Sequence, residues 1–282
     1  MQTYQLLDSG NQQRLEQWGP FRLIRPDPVA IWPQLLLPEW NDIDAIYHGT
    51  TVQNGSWEQV RPLPASWVIS VGEWHFTVGL GASKHLGLFP EQLEQWQSLA
   101  TLIKKQTPTF TEPIRFLNLF AYTGAASIAA TTAGAFTTHV DSSSPAIGRA
   151  KENQKLNGLN ERSIRWIKED VLTFVQREIR RGKTYDLIAL DPPIYGHGAN
   201  GEQFSLAKEF PLLLKEVHKL LSDKAIAIFI TTYSTTFDAA SLSEICTMTF
   251  PGASVSTQPL QLSTNTSQPI LTTGNWTILR YY

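Results

Sequence analysis

Four short segments of this chain carry, within them or just after them, groups that can accept or donate hydrogen bonds. Asn118 lies inside Phe116–Phe120, Asp141 closes Thr137–Asp141, Glu169 and Asp170 follow Ser163–Lys168, and Asp191-Pro192-Pro193 follows Tyr185–Leu190. Runs of this length read as strands, and the residues after each run would then collect along one sheet edge. Carboxylates gathered there can hold the hydroxyls and amines of a ligand, because an ionised Asp or Glu only accepts.

Asp141 stands roughly 20 residues beyond the turn after the first strand, where a carboxylate takes both hydroxyls of a ribose. Followed by Ser142 to Ser144, it could instead cap the next helix. Ser144 before Pro145 can do that alone, which leaves Asp141, with Ser142 beside it, for the sugar. Asp170 can accept from an adenine amine or cap a helix from Val171, and both readings stand. The turn Phe120-Ala121-Tyr122-Thr123-Gly124 carries one glycine. A pyrophosphate cradle of the Gly-x-Gly-x-x-Gly kind needs three, so a dinucleotide is disfavoured. An adenosine with an amino-acid tail and no phosphate suits the turn, and S-adenosylmethionine is such a ligand.

Asp191 before two rigid prolines offers a fixed carboxylate and backbone carbonyls to an amine or ring N–H. Pro192 and Pro193 could also merely end their strand. Tyr195 can stack on a flipped base or sit on a surface connection. Gly196 to Gly201 can act as a lid or be a long loop.

The elements that must position these groups alternate. After the four strands and their helices come a helix around Leu206–Leu221 and a strand at Ala225–Thr231, the pattern of an α/β, doubly wound, mostly parallel sheet. Gly274 and Asn275 suggest a closing hairpin in the tail. Residues 1–80 differ: six tryptophans (Trp18, Trp32, Trp40, Trp57, Trp67, Trp74), no lysine and only four arginines predict a small, acidic, β-rich domain. Its tryptophans read as core in preference to a stacking platform. Residues 81–110 form a link whose helix, Glu91–Lys105, keeps its apolar positions on one face, and 111–282 make the main domain.

The sequence has 282 residues, a formal net charge of -2 and one cysteine, Cys246. The charge advertises no polyanion partner, and one cysteine excludes a disulfide framework or a multi-cysteine zinc site. The six histidines show no ligand spacing, so no metal is expected. With no apolar run near the length of a bilayer span and no leader-like start, the expectation is a cytoplasmic protein without membrane contact.

The stretches FLNLFAYTGAASIAA (116–130), HVDSSSPAIGRAKENQKLNGL (139–159), YDLIALDPPIYGHG (185–198) and GLGASKHLGLFPEQ (79–92) together resemble class I S-adenosylmethionine-dependent methyltransferases. Within that class they are similar to the bacterial ribosomal RNA large-subunit methyltransferases. The resemblance implies a Rossmann-like sheet and a cofactor held by Asn118, Phe120, Ala121, Tyr122, Thr123, Gly124, Asp141 and Asp170. It places Asp191, Pro192 and Pro193 between cofactor and substrate, and makes the segment with His85, Gly87, Phe89, Pro90 and Gln92 a cover for the cleft. It also implies ribosomal RNA as partner, while a homo-oligomer stays open.

Some of that family carry a cysteine after the fifth strand, as cytosine C5 chemistry requires. Here the region reads Thr231-Thr232-Tyr233-Ser234, and Cys246 falls in an apparently helical stretch where a buried thiol is expected. Direct attack by a base nitrogen is therefore the expected chemistry. Arg177, Arg180, Arg181 and Lys183 form a basic run, which can equally complement a helix dipole. A methyltransferase for a small molecule or a protein remains the main alternative, and a binding protein without chemistry a further one.

Overall fold

A computed structural model describes residues 3–49, 55–159, 164–197, 203–233, 237–264 and 269–282. The chain forms two compact units, one of residues 1–93 with 261–273 and one of 94–260 with 274–282.

The first unit is built on a five-stranded sheet. Its strands are β1 (Tyr4–Gly10), β2 (Gln13–Trp18), β3 (Phe21–Pro26), β4 (Ala45–Gly49) and β5 (Gly55–Gln59), in that order across the sheet. A hairpin of β6 (Trp67–Val71) and β7 (Trp74–Val78) stands beside it. Of the six tryptophans expected in the core, Trp18, Trp40, Trp67 and Trp74 are buried, and Trp32 and Trp57 are half-buried. The indole of Trp67 donates to the Trp18 carbonyl at 2.9 Å, and that of Trp40 to the buried Asp8 carboxylate at 2.7 Å. Such bonds give two of these buried rings an acceptor for their N–H groups. Glu16, also buried, takes two guanidinium bonds from Arg25 at 2.6 and 2.7 Å.

The second unit begins in α1 (Leu93–Gln106) and is built on a seven-stranded sheet. In chain order it holds β8 (Arg115–Leu119), α2 (Ala125–Thr132), β9 (Phe136–Asp141), α3 (Ser144–Leu156), β10 (Ile164–Lys168) and α4 (Val171–Arg180). Then follow β11 (Leu187–Leu190), the short strands β12 (Tyr195–His197) and β13 (Gln203–Ser205), α5 (Leu206–His218), β14 (Ala227–Thr232), α6 (Ala239–Thr249), β15 (Ser254–Leu262) and β16 (Leu271–Arg280). Across the sheet the order is β10-β9-β8-β11-β14-β16-β15. The five strands from β10 to β14 pair in parallel, and β16 runs antiparallel to β14.

Parallel strands covered on both faces are apolar on both, as the central three, β8, β11 and β14, largely are. Leu117, Leu119, Ile188, Leu190, Ile228 and Ile230 pack with Phe174, Phe210, Leu214 and Cys246 of α4, α5 and α6. Their alternates Phe116, Leu187, Ala189, Ala227 and Phe229 pack with Leu99 and Ile103 of α1 and Ala130 of α2. Each Leu, Ile or Phe side chain among these contributes about 1.5–3 kcal/mol when taken out of water.

The doubly wound α/β reading holds, and the tail does add two strands at the sheet edge. Gly274 and Asn275 are not its turn, however. Both lie within β16, with Asn275 opposite Thr232, and an added Cβ on Gly274 would come 2.5 Å from the Thr232 carbonyl oxygen. The glycine serves close strand approach. Ser163, Ser234 and the run from Gly198 to Gly201 lie outside the described residues. No helix among the described residues is long and apolar enough to cross a membrane.

Candidate active site

The chain runs outward from β8 through β9 to β10, then returns past β8 to begin β11, so strand order reverses between β8 and β11. In an open α/β sheet the ligand crevice lies at that reversal, beyond the carboxyl ends of the strands. The amide of Asp191 donates to the Leu119 carbonyl at 3.3 Å and joins the two strand ends there.

The turn after β8 is more contorted than its composition suggests. Phe120, Tyr122 and Gly124 all have positive φ, +55°, +48° and +87°. Only glycine takes that region without strain, so Phe120 and Tyr122 each cost roughly 1–2 kcal/mol. The turn is held by β9: the Ala121 amide donates to the Val140 carbonyl at 3.0 Å and the Tyr122 amide to Asp141 Oδ2 at 2.7 Å. Gly124 sits just before α2, and a Cβ there would lie 3.1 Å from Ala150 Cβ of α3. The single glycine thus permits a left-handed residue where two helices meet. It is not one of a set cradling phosphates.

Asp141 is bound to the backbone on both oxygens, since Oδ1 also accepts the Ser143 amide at 2.8 Å. This corrects the capping scheme: Ser143, not Ser144, is the helix cap, accepting from the Ala146 amide at 3.3 Å, and Asp141 is not free of local bonds. A carboxylate has about four acceptor positions, so each oxygen keeps room for a further donor. Burial raises the Asp141 pKa, and the Ser143 and Tyr122 amides partly oppose that rise.

Asn118 is 4% exposed and its side-chain amide donates to Ser127 Oγ at 2.9 Å. Ser127 Oγ in turn lies 3.0 Å from Nδ1 of the buried His139. Burial lowers the His139 pKa to about 3, so the ring is neutral, and its Nε2 meets no hydrogen-bond partner among the described residues. This chain ties β8, α2 and β9 together beneath the turn. The Thr123 carbonyl accepts from the side-chain amide of Asn153 at 3.0 Å. Ser142 follows Asp141 in the half-buried bend before α3.

Asp170 caps α4, accepting from the Thr173 amide at 2.9 Å. Its neighbour Glu169 donates its backbone N–H to the Asp141 carbonyl at 3.2 Å and pairs with Arg177 through its carboxylate. Arg181 lies 3.5 Å from Glu178. Two members of the basic run are therefore already matched with acids.

Beyond β11, Pro192 is buried, Pro193 exposed and Tyr195 77% exposed. Of the stretch that reads as a lid or a long connection, Gly196 and His197 lie in a ribbon, β12 pairing antiparallel with β13. Cys246 is wholly buried in the α4–α6 core, and burial pushes its thiol up to about 12. It is no nucleophile at neutral pH. Among the described residues no cluster of three or more His, Cys, Asp or Glu could hold a metal ion.

A family model for S-adenosylmethionine-dependent methyltransferases matches residues 48–239. The chain belongs to that family. Its cofactor is S-adenosylmethionine, and the donor set fits: spare carboxylate acceptors on Asp141 and a turn without a phosphate cradle. The crystal structure of a SAM-dependent methyltransferase from Agrobacterium tumefaciens superposes with a TM-score of 0.93 at 38% identity, covering 99% of this chain and 90% of that one. Two curated relatives are also similar. Ribosomal RNA large subunit methyltransferase K/L of Methylococcus capsulatus is 32% identical over 166 residues, 58% of this chain and 21% of that protein. Ribosomal RNA large subunit methyltransferase K of Neisseria meningitidis is 32% identical over 117 residues, 41% of this chain and 33% of that protein. The match thus spans a third or less of either ribosomal RNA relative.

Of the sequence-derived site, the turn, Asp141 and Asp191 fall around the strand reversal, whereas the Asn118 amide turns inward and Asp170 is engaged as a cap. The strain at Phe120 and Tyr122 left no mark in the sequence. The Ser127–His139 link could have been suspected only from two polar residues inside apolar segments.

Proposed function

We propose that this chain transfers the methyl group of S-adenosylmethionine to a base nitrogen of ribosomal RNA in the cytoplasm. The observation that carries the reading is the meeting of two strand ends: the turn pinned by Asp141 and the Asp191-Pro192-Pro193 corner flank one reversal point. The residues that would hold the cofactor are Phe120 to Gly124, Asp141 and Ser142, with Asp141 accepting the ribose hydroxyls and Glu169 and Asp170 bordering the adenine. When bound, S-adenosylmethionine supplies a methyl group already activated by a positive sulfur.

The chain's own share is therefore to hold and orient an acceptor and to exclude water, without an elaborate acid–base apparatus. Asp191 accepts a hydrogen bond from the target N–H, which fixes the nitrogen and favours positive charge developing on it. Pro192 and Pro193 keep that carboxylate and its neighbouring carbonyls in place. Tyr195 offers an exposed ring against which a flipped base can lie. The buried, protonated thiol of Cys246 supports nitrogen over cytosine C5, since carbon attack needs a thiolate partner.

The test is mass spectrometry of ribosomal RNA nucleosides from a deletion strain beside its parent. Loss of one N-methylated nucleoside is expected; an unchanged nucleoside profile would overturn the RNA assignment, and loss of 5-methylcytosine the nitrogen assignment. A second reading, a small-molecule or protein substrate, is favoured by the ion-paired state of Arg177 and Arg181 and by the acidic first eighty residues. Binding to ribosomal RNA fragments that weakens steeply with salt would decide against it.

A further inference from the structure

Phe204 lies on the second strand of the ribbon that follows the Asp191-Pro192-Pro193 corner. Its ring stands 5.2 Å from the Phe120 ring, centroid to centroid, at 54°. Both rings are partly buried against the core that contains Leu190 and Leu206. Phe120 is itself one of the two strained residues of the cofactor turn, so the contact joins that turn to the ribbon.

The ribbon has two faces. Tyr195 pairs with Ser205, and Gly196 with Phe204. Side chains alternate along a strand, so Phe204 points to the face opposite Tyr195. One face therefore packs on the cofactor turn while the other presents the exposed tyrosine ring. Gly196 tightens the arrangement: a Cβ on it would fall 3.1 Å from Pro193 Cγ and 3.6 Å from Phe204 Cβ. The ribbon's exit is fixed as well, with the Leu206 amide donating to the Ile194 carbonyl at 3.1 Å and the Ser205 amide to Glu209 Oε2 at 2.9 Å.

We infer that Phe204 is a positioning residue, which through Phe120 sets the Pro193–Tyr195 edge relative to the cofactor and so couples cofactor occupancy to the order of the substrate face. The inference deepens the proposed function and rests on S-adenosylmethionine lying at the Phe120 turn. It assigns no direct contact with the reacting atoms to Phe204.

The experiment compares the full chain with its Phe204→Leu and Phe204→Tyr variants in three measurements: calorimetric affinity for S-adenosylmethionine, amide hydrogen exchange of residues 195–197 and 203–205 with and without it, and methyl transfer to ribosomal RNA from a deletion strain. In the parent, added S-adenosylmethionine slows exchange in both ribbon strands. In Phe204→Leu the affinity changes less than about twofold, the ribbon protection is lost, and kcat falls about tenfold with little change in KM, the pattern of lost alignment. Phe204→Tyr, which keeps the ring, restores both protection and kcat.

Protection that survives in Phe204→Leu overturns the inference alone, as does its absence from a parent that binds. A parent that does not bind S-adenosylmethionine overturns both the inference and the reading beneath it. A parent that binds but does not methylate this RNA defeats only the substrate assignment, and the exchange data still decide the role of Phe204.

Discussion

The carboxylate of Asp141 accepts the amide of Tyr122 at 2.7 Å, across from the end of one strand to the turn that leaves its neighbour. Tyr122 is held in a left-handed conformation at the point where that bond forms. One side chain thus both shapes the turn and retains acceptor capacity for a ligand.

A pH dependence follows from the cause of the Asp141 shift. Burial raises its pKa, so protonation begins at a higher pH than for an ordinary aspartate. The protonated form contributes stability below the unfolded-state pKa, and that contribution is lost as pH rises through the folded one; ionised at neutral pH, Asp141 costs stability. Ligand affinity runs the other way. Titrations with S-adenosylmethionine should show constant affinity near neutrality and a decline on acidification that starts above the ordinary aspartate range. Affinity that holds into that range would count against a ribose-binding Asp141.

Gly124→Ala would place a Cβ at φ +87° and 3.1 Å from Ala150 Cβ. The strain alone is worth roughly 1–2 kcal/mol. Thermal melting should show a lower Tm, with weaker S-adenosylmethionine binding because α2 must shift against the turn. A variant that melts with the parent would mean the backbone there relaxes freely.

Cys246 supplies a chemical check. Its thiol is buried and its pKa pushed up to about 12. An aromatic disulfide reagent should leave the folded protein unlabelled and react stoichiometrically only in denaturant. Rapid labelling of the native chain would reopen a thiolate mechanism.

In the first unit, burial opposes ionisation of Glu16, but Arg14 and Arg25 outweigh it and draw its carboxyl down to about 2. A depressed carboxylate contributes stability above its unfolded pKa and loses it as pH falls through the folded value, so this ion cluster should resist acid until near pH 2. Glu16→Gln leaves Arg25 buried without its anion, a loss of about 3–5 kcal/mol in urea unfolding. A loss below about 1 kcal/mol would show the cluster to be solvated.

The alternation of strands and helices was legible because the central parallel strands β8, β11 and β14 are largely apolar on both faces and the segments between strands carry helical spacing or small residues. The placement of Asp141 and Asp191 at the sheet edge was legible because each carboxylate closes or follows a segment that reads as a strand. What stayed hidden depends on backbone geometry and distant pairing. Nothing local distinguishes a phenylalanine at φ +55° from one in a strand, and Gly274 looked like a turn because glycine serves turns and close strand approach alike. Ser143 took the cap from Ser144 by a one-residue difference in helix start, which also brought its amide onto Asp141. Phe204 could not be linked to Phe120 without the sheet that brings positions so far apart in sequence together.

The central claim is that Asp141 grips the ribose of a cofactor lying over the Tyr122 turn. Calorimetric titration of S-adenosylmethionine into the parent, Asp141→Asn and Asp141→Ala tests it most directly. Affinity should fall by about tenfold or more in both variants, because hydrogen bonds to a charged group are worth ~1.5–3 kcal/mol. Parent-like binding by both folded variants would contradict it.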